Sequence, residues 1–183
     1  MSQDSGTARP SRTLVLGGTR SGKSAFAENL AAATGAVRYV ATSVPDPDDH
    51  DFAERIARHR ERRPTDWTVV ESADAAAVLA DPASDAATLV DDIGTWLTAR
   101  IDALDAWDSP RGTVAPDTEA LVSAVAAYRH RLIVVSPEVG MGVIPATRSG
   151  RLFRDEIGAL NQRLAQACDE AFLVVAGLPV RLK

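Results

Sequence analysis

Gly17-Gly18-Thr19-Arg20-Ser21-Gly22-Lys23-Ser24 decides how this chain is read. The octet fits G-x-x-x-x-G-K-[ST], and both flanks suit a phosphate-binding loop. Thr13-Leu14-Val15-Leu16 is a short apolar run ahead of it, as expected of a buried first strand. Residues 25–33 are rich in strong helix formers and close at Gly35. Strand, glycine-rich loop and helix in that order turn successive backbone N–H groups around a polyphosphate at a helix N-terminus. In such a loop Lys23 reaches the β- and γ-phosphates and the Ser24 hydroxyl ligates Mg2+. All eight residues are therefore candidate nucleotide-binding groups, with Lys23 also a catalytic candidate and Ser24 a metal ligand. A glycine-rich turn with a chance GKS is the bland alternative, and the flanking strand and helix weigh against it.

A length of 183 residues fits one α/β domain with a proper core. Hydrophobic content of 45% and charged content of 25% belong to an ordinary globular chain. The net charge of −5 argues against a nucleic-acid partner, which favours a basic excess. A single cysteine, Cys168, precludes an internal disulfide, suits a reducing cytoplasm and reads as a small core side chain. Residues 1–11 are polar and lack the apolar core of a signal peptide. They are read as a disordered extension before a single domain over residues 12–183. The apolar run at 171–180 is too short to span a bilayer and is broken by Gly177 and Pro179.

Past the loop, residues 37–41 read as a second strand, 51–62 as a helix with Phe52 and Ile56 on one face, and 67–71 as a strand. A short alanine-rich helix over 73–80 precedes an apolar run at 87–91 that ends in acid. Helices are expected over 95–104, 117–128 and 151–168, and strands over 132–135 and 172–175, the last strand assigned. Residues 108–116 and 136–150, rich in proline and glycine, read as loops. Strands alternating with helices give a P-loop NTPase-like α/β fold, its mainly parallel sheet covered on both faces.

Leu89-Val90-Asp91-Asp92 puts a carboxylate at the end of a buried strand, where P-loop proteins hold Mg2+. Asp91 is the favoured catalytic and metal candidate, and Asp92 the competitor; the bland reading is an aspartate that ends a strand and caps the next helix. Asp91-Asp92-Ile93-Gly94 also fits D-x-x-G of switch GTPases, but the only lysines are Lys23 and Lys183, so no N-K-x-D box exists. His59 sits among Arg55, Arg58, Arg60, Arg62 and Arg63. A solvated charged helix face is the bland reading. Against it, arginines favour polyphosphate, and cationic neighbours keep an imidazole neutral and nucleophilic.

Taken together the motifs resemble the bifunctional adenosylcobinamide kinase / adenosylcobinamide-phosphate guanylyltransferases of cobalamin biosynthesis. The loop at 17–24 is similar to the family's GG-x-RSGKS, and Tyr39-Val40-Ala41-Thr42-Ser43 to its Y-[IV]-AT-[SA]. Arg55-Ile56-x-x-His59, Arg63 and Trp67-x-x-x-Glu71 resemble RI-x-x-H…R…W…E. Glu138-Val139-Gly140-Met141-Gly142-Val143-Ile144-Pro145, Arg154-Asp155 and Asn161-Gln162 resemble the family's tail, so the likeness runs from about residue 13 to 183. It implies phosphorylation of adenosylcobinamide by ATP or GTP, then transfer of GMP from GTP to adenosylcobinamide phosphate, with Mg2+ in attendance. It further implies that His59 carries the GMP and that Ala41, Thr42, Ser43, Arg60, Glu61, Arg62, Arg63, Glu71 and Asp91 line the guanine nucleotide site. Glu71 is chemically suited to accept from the guanine N1–H and N2–H2. The resemblance implies a homotrimer as well, while the cysteine usage and short apolar runs lead to the expectation of a cytoplasmic protein with no membrane span.

Two departures stand out. Ser136-Pro137 replaces an asparagine-containing step before Glu138-Val139-Gly140, and Asp51-Phe52-Ala53-Glu54 shifts the family's D-x-E-M. The rivals to the bifunctional enzyme are a P-loop small-molecule kinase without guanylyltransferase activity and a non-catalytic GTP-binding regulator.

Overall fold

The structure is a computed structural model and describes residues 11–43, 64–81 and 86–183. The helix expected over 51–62, with His59, Arg60, Glu61, Arg62 and Arg63, lies outside the described residues, as do positions 1–10 of the expected extension.

The described residues form seven strands and five helices in the order β1 (Arg12–Gly17), α1 (Lys23–Ala32), β2 (Val37–Ala41), β3 (Thr68–Glu71), α2 (Ala75–Ala80), β4 (Ala87–Asp91), α3 (Ile93–Ala103), α4 (Ala115–Ala127), β5 (Leu132–Pro137), α5 (Arg148–Ala167), β6 (Glu170–Val175) and β7 (Leu178–Arg181). One sheet runs β3-β2-β4-β5-β1-β6-β7, parallel except for the β6–β7 pair. Every loop that leaves the carboxyl end of a parallel strand therefore opens at the same edge, where ligands of such sheets bind.

The period of two along each strand sorts side chains to two faces. Leu14, Leu16, Val40, Val90 and Val134 point to one layer, filled by Trp96, Leu97 and Ile101 of α3, Leu121 and Val125 of α4, and Leu160 and Leu164 of α5. Val15, Tyr39, Leu89, Ile133 and Val135 point to the other, closed by Ala27 and Ala31 of α1. Those alanines let α1 lie close over β5 and β4. Cys168 is buried in the first layer and burial pushes its thiol up to about 12, in keeping with a core side chain.

The sequence reading misses β7. Ala176 (φ 52°) and Gly177 (φ 78°) make a two-residue turn with both φ positive, the geometry that matches strand twist in tight hairpins. Pro179, which argues against an inner strand, is tolerated because β7 is the sheet edge. The expected loops also shrink: β5 continues through Pro137, α4 begins at Ala115 and α5 begins at Arg148, with Thr147 accepting from Gly150 N as its cap.

Pro137, the departure noted in the sequence, abuts Gly94 at the start of α3. A Cβ at Gly94 would lie 2.7 Å from Pro137 Cγ. Gly94→Ala should therefore lower the unfolding free energy by about 1–3 kcal/mol despite alanine's helix preference. Pro137→Ala in the same chain should restore most of it. Urea denaturation of the three variants reads this out, and equal loss with and without Pro137 would count against the contact.

Candidate functional site

The phosphate loop connects β1 to α1 and is built by close approach. A Cβ at Gly17 would lie 2.4 Å from Ser21 Oγ and 2.8 Å from the Val174 carbonyl oxygen. Gly22, the N-cap of α1, takes φ 92°, which an L side chain rarely adopts. A Cβ there would also stand 3.0 Å from Gly177 Cα. The β6–β7 turn thus lies directly against the loop, and Gly177 N donates to Ser21 O at 2.7 Å. Arg20 (φ 57°) and Thr19 remain exposed. Lys23 shares its helix face with Ala27 and Ala31 and is 5% exposed. Its Nζ donates to the Gly18 carbonyl at 3.4 Å, so the ammonium is held within the loop whose phosphates it is suited to meet.

Asp91 ends β4, and α1 reaches over β5 to meet it. Ser24 Oγ donates to Asp91 Oδ1 at 3.3 Å, and Tyr39 OH donates to Oδ2 at 2.8 Å. Asp91 retains some solvent contact but is walled in by protein, and desolvation, with the Asp92 charge beside it, raises its carboxyl to about 6. Tyr39, Lys23 and Ser24 oppose that rise without cancelling it. Asp92 serves the helix instead, where its Oδ1 accepts from Thr95 N at 2.9 Å and caps α3. The two adjacent acids thereby part ways: Asp91 faces the loop serine and Asp92 caps α3.

Ser24 and Asp91 offer two hard oxygen donors, which fits Mg2+ held by one or two protein groups with phosphates and water completing its shell. No cluster of three or more His, Cys, Asp or Glu side chains suited to a resident metal occurs among the described residues.

The other candidates from the sequence distribute along the same sheet edge. Ala41 is 7% exposed and its carbonyl accepts from Ser72 N at 3.0 Å. Thr42 is fully buried; its Oγ1 donates to Asp92 O at 2.6 Å and lies 2.7 Å from Thr95 Oγ1. Its hydroxyl is therefore engaged in fastening the end of β2 to the start of α3. Ser43 is partly exposed, and Glu71, opposite Ala41 in register, is exposed at the end of β3. Four strand spacings separate β3 from β1, roughly 19 Å. Glu71 therefore does not join the phosphate loop but stands farther along the same edge.

Three residues support the site in roles that the sequence alone does not show. Tyr39 looks there like one more apolar strand position within a motif, and Gly177 sits in a stretch without a strong hairpin signal. The third is Asn161, 5% exposed inside α5. It accepts from Ser136 Oγ at 2.6 Å and donates to the Pro137 carbonyl at 3.0 Å, tying α5 to the end of β5. Glu138 N then donates to Gly17 O at 3.0 Å, linking that end to the phosphate loop. Asn161 stands in the sequence within the tail that resembles the family, and its place as a polar residue in an apolar helix stripe is the signal for this packing role.

This architecture is that of a P-loop NTPase, a nucleotide-binding α/β protein with a strand-end acid facing the loop serine. A solved prototypical ATPase from the type III secretion system of pathogenic bacteria shares the fold, with a TM-score of 0.53 and 12% identity over 94% of this chain and 57% of that one. Residues 13–182 match the family CobU, cobinamide kinase / cobinamide phosphate guanyltransferase, and the chain belongs to that family. Among similar curated proteins, the bifunctional adenosylcobalamin biosynthesis protein CobP of Pseudomonas aeruginosa is 40% identical over 94% of this chain and 97% of its own length. CobU of Salmonella typhimurium, which carries the same bifunctional description, is 40% identical over 93% of this chain and 98% of its own.

The raised Asp91 carboxyl sets a pH dependence. Its folded value of about 6 exceeds the unfolded value of about 3.9, so its stabilising contribution is full below about pH 4 and is lost as pH rises through 6. In metal-free protein, Asp91→Asn should gain on wild type by about 1–3 kcal/mol between pH 4 and pH 8. Thermal or urea unfolding at both pH values measures it; a pH-independent difference would contradict the desolvated carboxylate.

Proposed function

We propose that this chain catalyses two successive transfers from nucleoside triphosphates to a cobinamide acceptor. In the first, the acceptor's aminopropanol hydroxyl attacks the γ-phosphorus of ATP or GTP. A new O–P bond forms, the β,γ-bridging P–O bond breaks, and the nucleoside diphosphate leaves as the hydroxyl proton is lost to solvent or a base. In the second, a ring nitrogen of His59 attacks the α-phosphorus of GTP and displaces pyrophosphate, giving a phosphoramidate. A phosphate oxygen of adenosylcobinamide phosphate then attacks that phosphorus, releases His59 and yields adenosylcobinamide-GDP.

The observation that carries the reading is the convergence of Lys23, Ser24 and Asp91 in a chain belonging to a family described by these two activities. Mg2+ bound between Ser24, Asp91 and the phosphates would neutralise charge during phosphoryl transfer. Lys23 neutralises developing charge on the β- and γ-phosphates, and the backbone N–H groups of residues 17–24 orient them. Arg60, Glu61, Arg62, Arg63, Glu71, Ala41, Thr42 and Ser43 complete the guanine nucleotide site in this reading, with Arg60, Arg62 and Arg63 matched to phosphate by their forked donors. Because the two steps attack different phosphorus atoms, either the nucleotide's pose or the segment carrying His59 shifts between them.

The same proposal makes the enzyme a cytoplasmic homotrimer. Met141, Val143 and Leu178, 75%, 94% and 70% exposed, offer apolar surface for subunits to cover. No helix among the described residues is long and apolar enough to cross a membrane.

Incubation with α-labelled GTP and Mg2+ tests the covalent step. Wild type should retain an acid-labile, alkali-stable label, and His59→Ala none, while γ-phosphoryl transfer survives in that variant. Equal labelling of both would remove His59 from the role, and an unlabelled wild type would leave only the kinase. Lys23→Ala should lower both activities by roughly a hundredfold or more, the scale of losing one preorganised charge on a transition state.

A further inference from the structure

We propose that Tyr39 is a positioning residue for the metal–nucleotide site, fixing the Asp91 carboxylate in the one orientation that serves Ser24 and the phosphates. The inference rests on the nucleotide–metal reading above. It comes from how the carboxylate is held. The terminal torsion of an aspartate has a broad, roughly two-fold profile, so an acid at a strand end has no intrinsic reason to aim one oxygen at a loop. Here the two oxygens have separate hydroxyl partners: Oδ2 takes the Tyr39 phenol at 2.8 Å and Oδ1 the Ser24 hydroxyl at 3.3 Å. The bond from Tyr39 is the shorter of the two and, with an ionised acceptor, belongs to the stronger class of hydrogen bond.

The donor itself is immobilised. Tyr39 lies in β2, whose Ala41 pairs in register with Asp91 of β4, so tyrosine and acid stand on adjacent strands two positions apart. It is 1% exposed, and its ring stacks on Trp67 with centroids 6.2 Å apart and planes at 29°. Trp67, 8% exposed, belongs to the same core layer, so the path runs from Trp67 through Tyr39 and Asp91 to Ser24. The packed side of the sheet thereby sets the direction in which Oδ1 faces the loop.

A structural role alone would be to satisfy a buried phenol, and the fold contains its own control for that. Tyr128, 7% exposed, shares a hydrogen bond of 2.7 Å with Thr88 Oγ1, and Thr88 lies on the same strand as Asp91 but toward its other end. Tyr128→Phe removes a comparably buried hydroxyl contact without approaching the loop.

The test measures Mn2+ binding by electron paramagnetic resonance to protein saturated with the β,γ-imido analogue of GTP. Tyr39→Phe should bind Mn2+ roughly tenfold more weakly than wild type, as expected for losing a hydrogen bond to a charged group. Its affinity for the analogue in EDTA should stay within about twofold, since the loop's backbone donors are untouched. Tyr128→Phe should lose comparable thermal stability yet bind Mn2+ like wild type. Trp67→Leu, which leaves the phenol in place but frees its ring, should show a smaller loss in the same direction and serves if Tyr39→Phe folds poorly. Wild-type Mn2+ affinity in Tyr39→Phe, or an equal loss in Tyr128→Phe, overturns the inference alone. A wild type that takes no Mn2+ with the analogue overturns it together with the metal–nucleotide reading.

Discussion

The Ser24 hydroxyl and the Asp91 carboxylate meet at 3.3 Å across a strand that belongs to neither. β5 lies between the strand that launches the phosphate loop and the strand that ends in the acid, a separation of roughly 10 Å. Only a helix that starts at the loop and lies low over β5 closes that gap, and the Ala27–Ala31 stripe permits the approach. Bulkier residues at those positions would lift α1 from the sheet and carry Ser24 away from Asp91. The alanines on the sheet-facing side of the helix are therefore part of the site's geometry.

Features set by local chemistry are legible in the chain. β1, β2 and β4 carry apolar runs, and the loop between β1 and α1 is fixed by its glycines and GKS. The sequence favours Asp91 over Asp92 without excluding the latter, because both cap and metal roles suit an aspartate at a strand end. In the structure Asp92 turns back to Thr95 N as a cap, while Asp91 meets the Ser24 hydroxyl. Thr42 shows another limit: the motif that places it at the nucleotide site gives no hint that its hydroxyl also bonds Asp92 and Thr95. Strand order and the antiparallel β7 are hidden for different reasons. Order depends on long-range packing, and β7 is announced by an Ala-Gly turn rather than by the stronger Asn-Gly signal.

Close approach recurs around the loop. Gly17 against Val174 and Gly94 against Pro137 leave no room for a Cβ, and Gly22 against Gly177 leaves little. With the Ser136–Asn161–Pro137 clamp, they join the carboxyl ends of β1, β5 and β6 into one rigid rim. The rim is closely packed and hydrogen-bonded where the phosphates are to be held, while Met141, Val143 and Ile144 farther along the chain are exposed.

The brace from Gly177 to Ser21 runs through main-chain atoms on both sides. A support of that kind reads no side chain beyond the glycines that permit the approach. Mutational drift in the C-terminal segment can therefore alter the exposed Leu178, Val180 and Leu182 freely with respect to the loop, so long as the turn keeps its shape. The C-terminal hairpin is in this sense an evolvable surface mounted on a fixed hinge pin, able to acquire new contacts without retuning the nucleotide site beneath it.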